Sequence, residues 1–156
     1  MIRKFRIEDF DNMLDLAKDY ALEAGDGIGA IKIENVMELA KELNIKPGYQ
    51  TFVSEHEGKP TGGVVCQAIN NKWNNKKQGH IMFLFVHPDY RNGFTAKNLV
   101  GRAEAWFREL DCELMTTNVQ AWHSDYTANK EFIEQGNSFY GKLMTHCGHT
   151  YVKEIK

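Results

Sequence analysis

Cysteine and proline are scarce in this chain of 156 residues, with three of each. Cys66, Cys112 and Cys147 are odd in number and far apart, and no Cys-x-x-Cys spacing occurs. Neither a disulfide framework nor a thiolate zinc site is therefore expected, and reduced thiols suit a cytoplasmic setting. Long apolar runs are missing as well. The longest, Ile81 to Val86, falls far short of the ~20 residues a membrane-crossing helix needs. Behind Met1-Ile2-Arg3-Lys4-Phe5-Arg6 no apolar stretch precedes the acidic Glu8-Asp9-Phe10-Asp11, so a secretory signal is not expected. Nor does one charge dominate: 19 Lys+Arg against 21 Asp+Glu leave a net charge of −2. That balance argues against nucleic acid as the main partner, because phosphate binding needs a surplus of basic residues. Repeats, low-complexity tracts and linkers are absent too, and the length fits one compact unit, so residues 1–156 are read as a single domain.

Periodicity places the elements. Phe10, Met13, Leu14, Ala17, Tyr20, Ala21 and Ala24 fall on one helical stripe and predict a helix over Glu8–Ala24. Gly25-Asp26-Gly27-Ile28-Gly29 breaks it, and a shorter helix is expected over Ile33–Leu43. Tyr49–Glu55 and Gly62–Ile69 flank the turn-forming Glu57-Gly58-Lys59-Pro60 and read as an antiparallel hairpin. The polar stretch Asn70–Gly79 predicts an exposed loop. His80–His87 follows, its apolar middle marking a strand covered on both faces. Ala96, Leu99, Val100, Ala103, Trp106, Phe107 and Leu110 predict a helix over Thr95–Leu110. Cys112–Val119 reads as a strand, and Asp125 or Thr127 could cap a last helix carrying Phe132, Ile133, Phe139, Tyr140 and Leu143 on one face. Thr145–Ile155 is expected to be a closing strand. This order specifies a mixed α/β layer of the α+β type.

The segment with chemical content runs from His80 through Val86-His87-Pro88-Asp89-Tyr90-Arg91-Asn92-Gly93-Phe94-Thr95-Ala96. A buried strand leading through a tight turn into a helix aims several backbone N–H groups and the positive end of the helix dipole at one spot, a setting for phosphate. The small Ala96 lets the helix pack close to whatever sits there.

In these residues, and in the order of elements around them, the chain resembles the GCN5-related N-acetyltransferase (GNAT) superfamily. That family's turn carries Arg or Gln, two free positions, Gly, one free position, then Gly or Ala. Arg91 and Ala96 match its ends, Phe94 stands where the family has its first glycine, and Gly93 lies one position earlier. Phe139-Tyr140-Gly141-Lys142-Leu143 and Gly148-His149-Thr150-Tyr151-Val152-Lys153 are similar to the family's last helix and closing strand, with Met144-Thr145 where the family usually has Gly-Phe.

The resemblance implies a mostly antiparallel central sheet flanked by helices, and acetyl-CoA as co-substrate. It also implies transfer of the acetyl group to a primary amine of a small molecule or protein by direct attack. The cofactor's pyrophosphate would lie on Arg91, Asn92, Gly93, Phe94, Thr95 and Ala96, and its pantetheine beside Phe85 and Val86, where a backbone N–H would polarise the thioester carbonyl. Tyr140 matches the family's proton donor to the leaving thiolate; its competing reading is core packing. Asn129, eleven residues before Tyr140 where the family's asparagine is usually seven, would contact the pantetheine. The family's base is often a glutamate on the strand before the turn, and His80–His87 has no carboxylate. His123 is then one candidate, since its ordinary pKa near 6.5 suits proton abstraction; its competing reading is an exposed loop histidine. Asp125, Glu55 and His87 follow, His87 being read as structural.

Other motifs are set aside. Gly25–Gly29 follows a helix and not a strand, so it fails as a nucleotide loop and reads as a helix break or a lid. His146-Cys147-Gly148-His149 alternates faces in a strand, so no metal is expected. The Lys-rich stretch Asn70–Lys77 is read as a solvated loop, with contact to an acidic partner as the other reading. The alternative reading is a non-catalytic module that keeps the fold to bind CoA or a protein partner in a regulatory role. A longer acyl-CoA is a further option, and the closing strand offers an edge for a homodimer.

Overall fold

The computed structural model describes residues 1–24, 35, 38, 41–42, 45–72, 75–91, 93–118 and 130–144. Five strands form one sheet whose spatial order follows the chain. β1 (Ile2–Lys4), β2 (Tyr49–His56), β3 (Lys59–Asn71) and β4 (Lys76–Val86) pair antiparallel, and β5 (Leu114–Thr117) joins β4 in parallel. A parallel pair needs a crossover, which helix α2 (Phe94–Glu109) supplies. Helix α1 (Phe10–Ala24) precedes β2, and α3 (Lys130–Tyr140) follows β5.

Strand alternation sorts the core into two layers. On one face Phe52, Val64, Cys66 and Ile81 meet Leu99, Val100, Ala103, Trp106 and Phe107 of α2. On the other, Val53 and Phe85 meet Met13, Leu16 and Ala17 of α1. Each large apolar side chain so buried contributes roughly 1.5–3 kcal/mol, which is why the helical stripes read from sequence coincide with these contacts. Helix α2 lies close to β4 because Gly79 leaves room: a Cβ there would stand 2.4–2.6 Å from ring atoms of Phe107.

Several expectations need correction. A 3-10 turn, Ile7–Asp9, takes the place of the first helical turn, so α1 begins at Phe10. Its cause is Asp9, which is buried, accepts from the Arg6 amide at 2.7 Å and is gripped by both Nη atoms of Arg3 at 2.7 and 2.8 Å. Arg3 Nε also reaches Glu55 at 2.5 Å, and this ion-paired arginine ties down β1, a strand too short to announce itself by alternation. The polar stretch Asn70–Gly79 is mostly not a loop. β3 runs on to Asn71, β4 starts at Lys76, and the register continues through Ala68↔Gly79 to Asn71↔Lys76. Backbone pairing carries this extension, and its exposed outer end tolerates polar side chains. Helix α3 ends at Tyr140, so Leu143 lies past it.

The Asp125 or Thr127 cap, the Gly25–Gly29 break, the closing strand and the His146–His149 motif lie outside the described residues. Most of Ile33–Leu43 does also. Of that segment Asn35, Glu38, Lys41 and Glu42 are helical, and Lys41 Nζ lies 3.3 Å from the centroid of the Phe10 ring, linking it to α1.

Candidate active site where β4 and β5 part

Two local features shape the middle of the sheet. Val65 pairs with Phe83 but Cys66 with Ile81, so Met82 is an extra residue, a bulge in β4. Its effect is visible in the packing: Ile81 and Leu84, three apart, both contact the α2-side core. The second feature lies on the other edge. Pairing with β5 runs from Gln78↔Leu114 to Ile81↔Thr117, while β4 continues to Val86. The two strands part at the bulge.

Tyr140 sits at this point. Its hydroxyl hydrogen-bonds to the side chain of Thr117, whose own hydroxyl donates to the Ile81 carbonyl at 3.2 Å. Its ring packs on the α2-side core, as the core reading expects. Burial pushes the phenol above its ordinary value, the Thr117 hydrogen bond opposes the shift, and nearby Cys66 adds to it. The phenol keeps its proton across the neutral range. Cys66 itself is fully buried and its thiol is pushed up to about 12 by burial, so it offers no thiolate nucleophile.

The turn after β4 is the second part. His87 caps a 3-10 turn, Pro88–Tyr90, by accepting from the Asp89 amide at 3.3 Å, and its ring stands 5.8 Å from that of Tyr90. The expectation that His87 is structural agrees with this. Arg91 Nε donates to the Val86 carbonyl at 2.8 Å, closing the turn back onto the strand. Gly93 then takes φ +80°, a left-handed conformation that L side chains adopt at a cost, and caps α2. Nothing lies within 4 Å of the place a Cβ would occupy there. The first intrahelical bond is Lys97 N–H to the Gly93 carbonyl, 3.3 Å, so the amides of Phe94, Thr95 and Ala96 lie at the helix mouth. Ala96 packs on the core while Phe94, the first helical residue, is 70% exposed.

Of the residues singled out from sequence, Val86, Arg91, Gly93, Phe94, Thr95 and Ala96 therefore form one turn, and Tyr140 stands where β4 and β5 separate. Phe85 is a core residue beneath α1. Glu55, another candidate base, is paired with Arg3 at the β1–β2 edge. His123, Asp125, Asn92 and Asn129 lie outside the described residues. Thr117 escapes sequence reasoning, because its role depends on a tertiary contact with a helix residue 23 positions later in the chain.

The sequence profile described as Acetyltransferase (GNAT) family matches residues 33–125. No curated protein matches the chain in sequence. Among solved structures, a ribosomal-protein-alanine N-acetyltransferase from Brucella melitensis biovar Abortus 2308 is similar with TM-score 0.73 and 16% identity, over 99% of both chains. A glucosamine-6-phosphate N-acetyltransferase from Arabidopsis thaliana gives TM-score 0.72 and 18% identity, over 100% of this chain and 98% of the other. An aminoglycoside N-acetyltransferase in complex with CoA gives 0.70 and 16%, again over 100% and 98%. At such identities these likenesses show the fold.

Proposed function

The chain belongs to the acetyltransferase (GNAT) family, and from that premise we propose that it transfers an acetyl group from acetyl-CoA to a primary amine by direct attack. The observation that carries this reading is the Tyr140–Thr117–Ile81 chain of hydrogen bonds at the point where β4 and β5 part. It supplies a protonated phenol beside the only stretch of β4 that runs past its parallel partner among the described residues.

The turn fits the co-substrate. Arg91 braces it, Gly93 leaves an open cradle, and the leading amides of α2 suit a pyrophosphate through hydrogen bonding and the helix dipole. When bound, acetyl-CoA supplies an activated acyl group. The β4 backbone over Met82–Val86 would hold the pantetheine as an added strand. Tyr140 gives its proton to the departing sulfur. Burial keeps the Cys66 thiol protonated, which removes it as an acyl carrier and favours direct transfer. Most of the acceleration then comes from positioning amine against thioester. The names of the three structural neighbours point to amines on both proteins and small molecules, so the proposed acceptor is a primary amine on a molecule of either kind.

A second reading, a CoA- or partner-binding module without turnover, is favoured by one observation: exposed Phe94 stands at the helix mouth in place of a glycine. Thiol release from acetyl-CoA with a panel of primary amines separates the two. Amine-dependent release supports the transferase. No release with any amine, together with retained CoA binding, supports the module.

A further inference from the structure

Beside the point where β4 and β5 part, the sheet face away from α2 carries a row of polar side chains. Tyr49 pairs with Gln67, Gln67 with His80 and His80 with Thr116, so one register row crosses four strands. Gly79 and Ile81 pack under α2, and alternation turns this row to the α1 side. Its members are joined to one another. Gln67 hydrogen-bonds to the Tyr49 hydroxyl, and His80 Nδ1 and Gln78 Nε2 each lie 3.0 Å from Thr116 Oγ1. The His80↔Thr116 pair is one step before the last that the two strands make, so the row borders the gap.

The next row on the same face, Ile69–Gln78–Leu114, sets an amide between two apolar side chains. Ile69 is 39% exposed and Leu114 52%, which leaves this part of the face open. Helix α1 packs its buried residues on Val53 and Phe85, toward the other end of the strands.

Neither row contains a charged residue. The row beyond them holds Lys76, which is already paired with Glu113 at 2.6 Å. Burial lowers the pKa of His80, opposed by its hydrogen bond with Thr116, so its ring is uncharged at pH 7. No charged side chain among the described residues contributes to that titration.

We propose that this face seats the acceptor, and that the acceptor is the amino terminus of an uncharged peptide segment with an apolar residue near its start. The inference rests on the acetyl-transfer reading and narrows it. A polyamine would lay further ammonium groups on a floor without carboxylates, and a sugar phosphate would bring an anion to a floor without cations; half-buried charges left unpaired are costly. Peptide groups suit the floor instead. The Gln67 and Gln78 amides each offer two N–H donors and a carbonyl acceptor, and among the described residues each engages one partner. The two rows are two residues apart along the strands, about 7 Å, a span an extended peptide covers in two residues. An amine at the gap therefore puts its first peptide groups over the polar row and a following side chain between Ile69 and Leu114.

Three acceptors with acetyl-CoA test the assignment: a tripeptide amide uncharged but for its amino terminus, with leucine second; an aminoglycoside; and glucosamine 6-phosphate. The tripeptide should have the highest kcat/KM, by about tenfold or more. Gln78→Glu, which puts a carboxylate on the open row, should cut its preference over the aminoglycoside about fivefold or more, with the KM for acetyl-CoA unchanged. Leu114→Ser should raise the KM for the tripeptide alone. A retained thermal shift with CoA shows that each variant is folded. By NMR with CoA bound, the tripeptide should move the side-chain amide signals of Gln67 and Gln78. A polycation or a sugar phosphate as the best acceptor, an unchanged preference in Gln78→Glu, or amide signals that stay in place overturns the proposal. Absence of turnover with all three acceptors refutes the transferase reading; the NMR titration then decides the peptide seat alone, moving signals upholding it and still ones overturning it.

Discussion

Gly79→Ala and Gly63→Ala form a matched pair that separates two kinds of close contact. A Cβ at Gly79 would meet Cγ, Cδ1 and Cδ2 of Phe107 at 2.4–2.6 Å. One at Gly63 would meet the terminal methyl of Met13 at 2.5 Å, with Phe85 Cζ at 3.2 Å. The distances are alike but the neighbours are not. Cγ is the root of a ring that is 2% exposed and packed among Trp106, Ile81 and Leu99, so relief requires moving α2 away from β4 by about 1 Å. The end of Met13 has three rotatable bonds and can swing aside. Overpacking of a rigid site costs about 3 kcal/mol, while yielding of the methionine should keep the other cost near 1 kcal/mol. For a chain of this size these correspond to losses in Tm of roughly 6–12 °C and 2–4 °C. Thermal unfolding followed by circular dichroism reads both. Because α2 carries the turn proposed to receive the pyrophosphate, Gly79→Ala should also weaken CoA binding, and Gly63→Ala should not. Equal losses in the two variants, or a loss under about 2 °C at Gly79, would refute the reasoning that this ring sets the spacing of helix and sheet.

Three other outcomes are expected. Tyr140→Phe should lower kcat by about 100-fold or more with CoA affinity unchanged, as measured by thiol release and calorimetry; an unchanged rate would return Tyr140 to a purely structural role. Gly93→Ala, which forces an L side chain to φ +80°, should cost about 1–2 kcal/mol and weaken CoA binding although no atom stands in the way of the methyl. At Asp9, burial raises the pKa, but the hydrogen bonds and charge of Arg3 and the Arg6 amide outweigh it, so the folded value lies below the ordinary carboxylate range. The stability this contributes is fully present above the unfolded pKa of about 4 and is lost as pH falls through the lower folded value. Denaturant unfolding between about pH 6 and 2 should show that loss in wild type and a flatter acid limb in Asp9→Asn, while Arg3→Ala, leaving a buried carboxylate without its main partner, should cost about 3 kcal/mol at pH 7.

The sequence was most legible where one element's own pattern decides its structure. The stripes of α1 and α2, the hairpin of β2 and β3 and the apolar half of β4 are all of this kind. It was least legible where a partner decides. Ile2–Lys4 becomes a strand because β2 offers an edge and Arg3 finds Asp9 and Glu55, neither of which is local information. Asn70, Asn71, Lys76 and Lys77 have loop composition, yet they pair because the register of Val64–Ala68 extends through them. In the site, the turn from Arg91 to Ala96 could be read because strand, turn and helix are contiguous. Thr117, Thr116 and His80 could not. His80 resembles the polar edge of an apolar run until β5 is laid beside it and brings its Nδ1 to 3.0 Å from Thr116 Oγ1.

Binding of acetyl-CoA tests the central claim most directly, by thermal unfolding of the wild-type chain with acetyl-CoA, free CoA or ATP. A ligand at about 100 times its Kd stabilises by about 2.7 kcal/mol, which for this chain length corresponds to roughly 5–10 °C. The expected result is a rise of that order with acetyl-CoA and CoA and none with ATP. No rise with either thioester or thiol at millimolar concentration would contradict the account, because the turn at Gly93 and Phe94 would then hold no pyrophosphate.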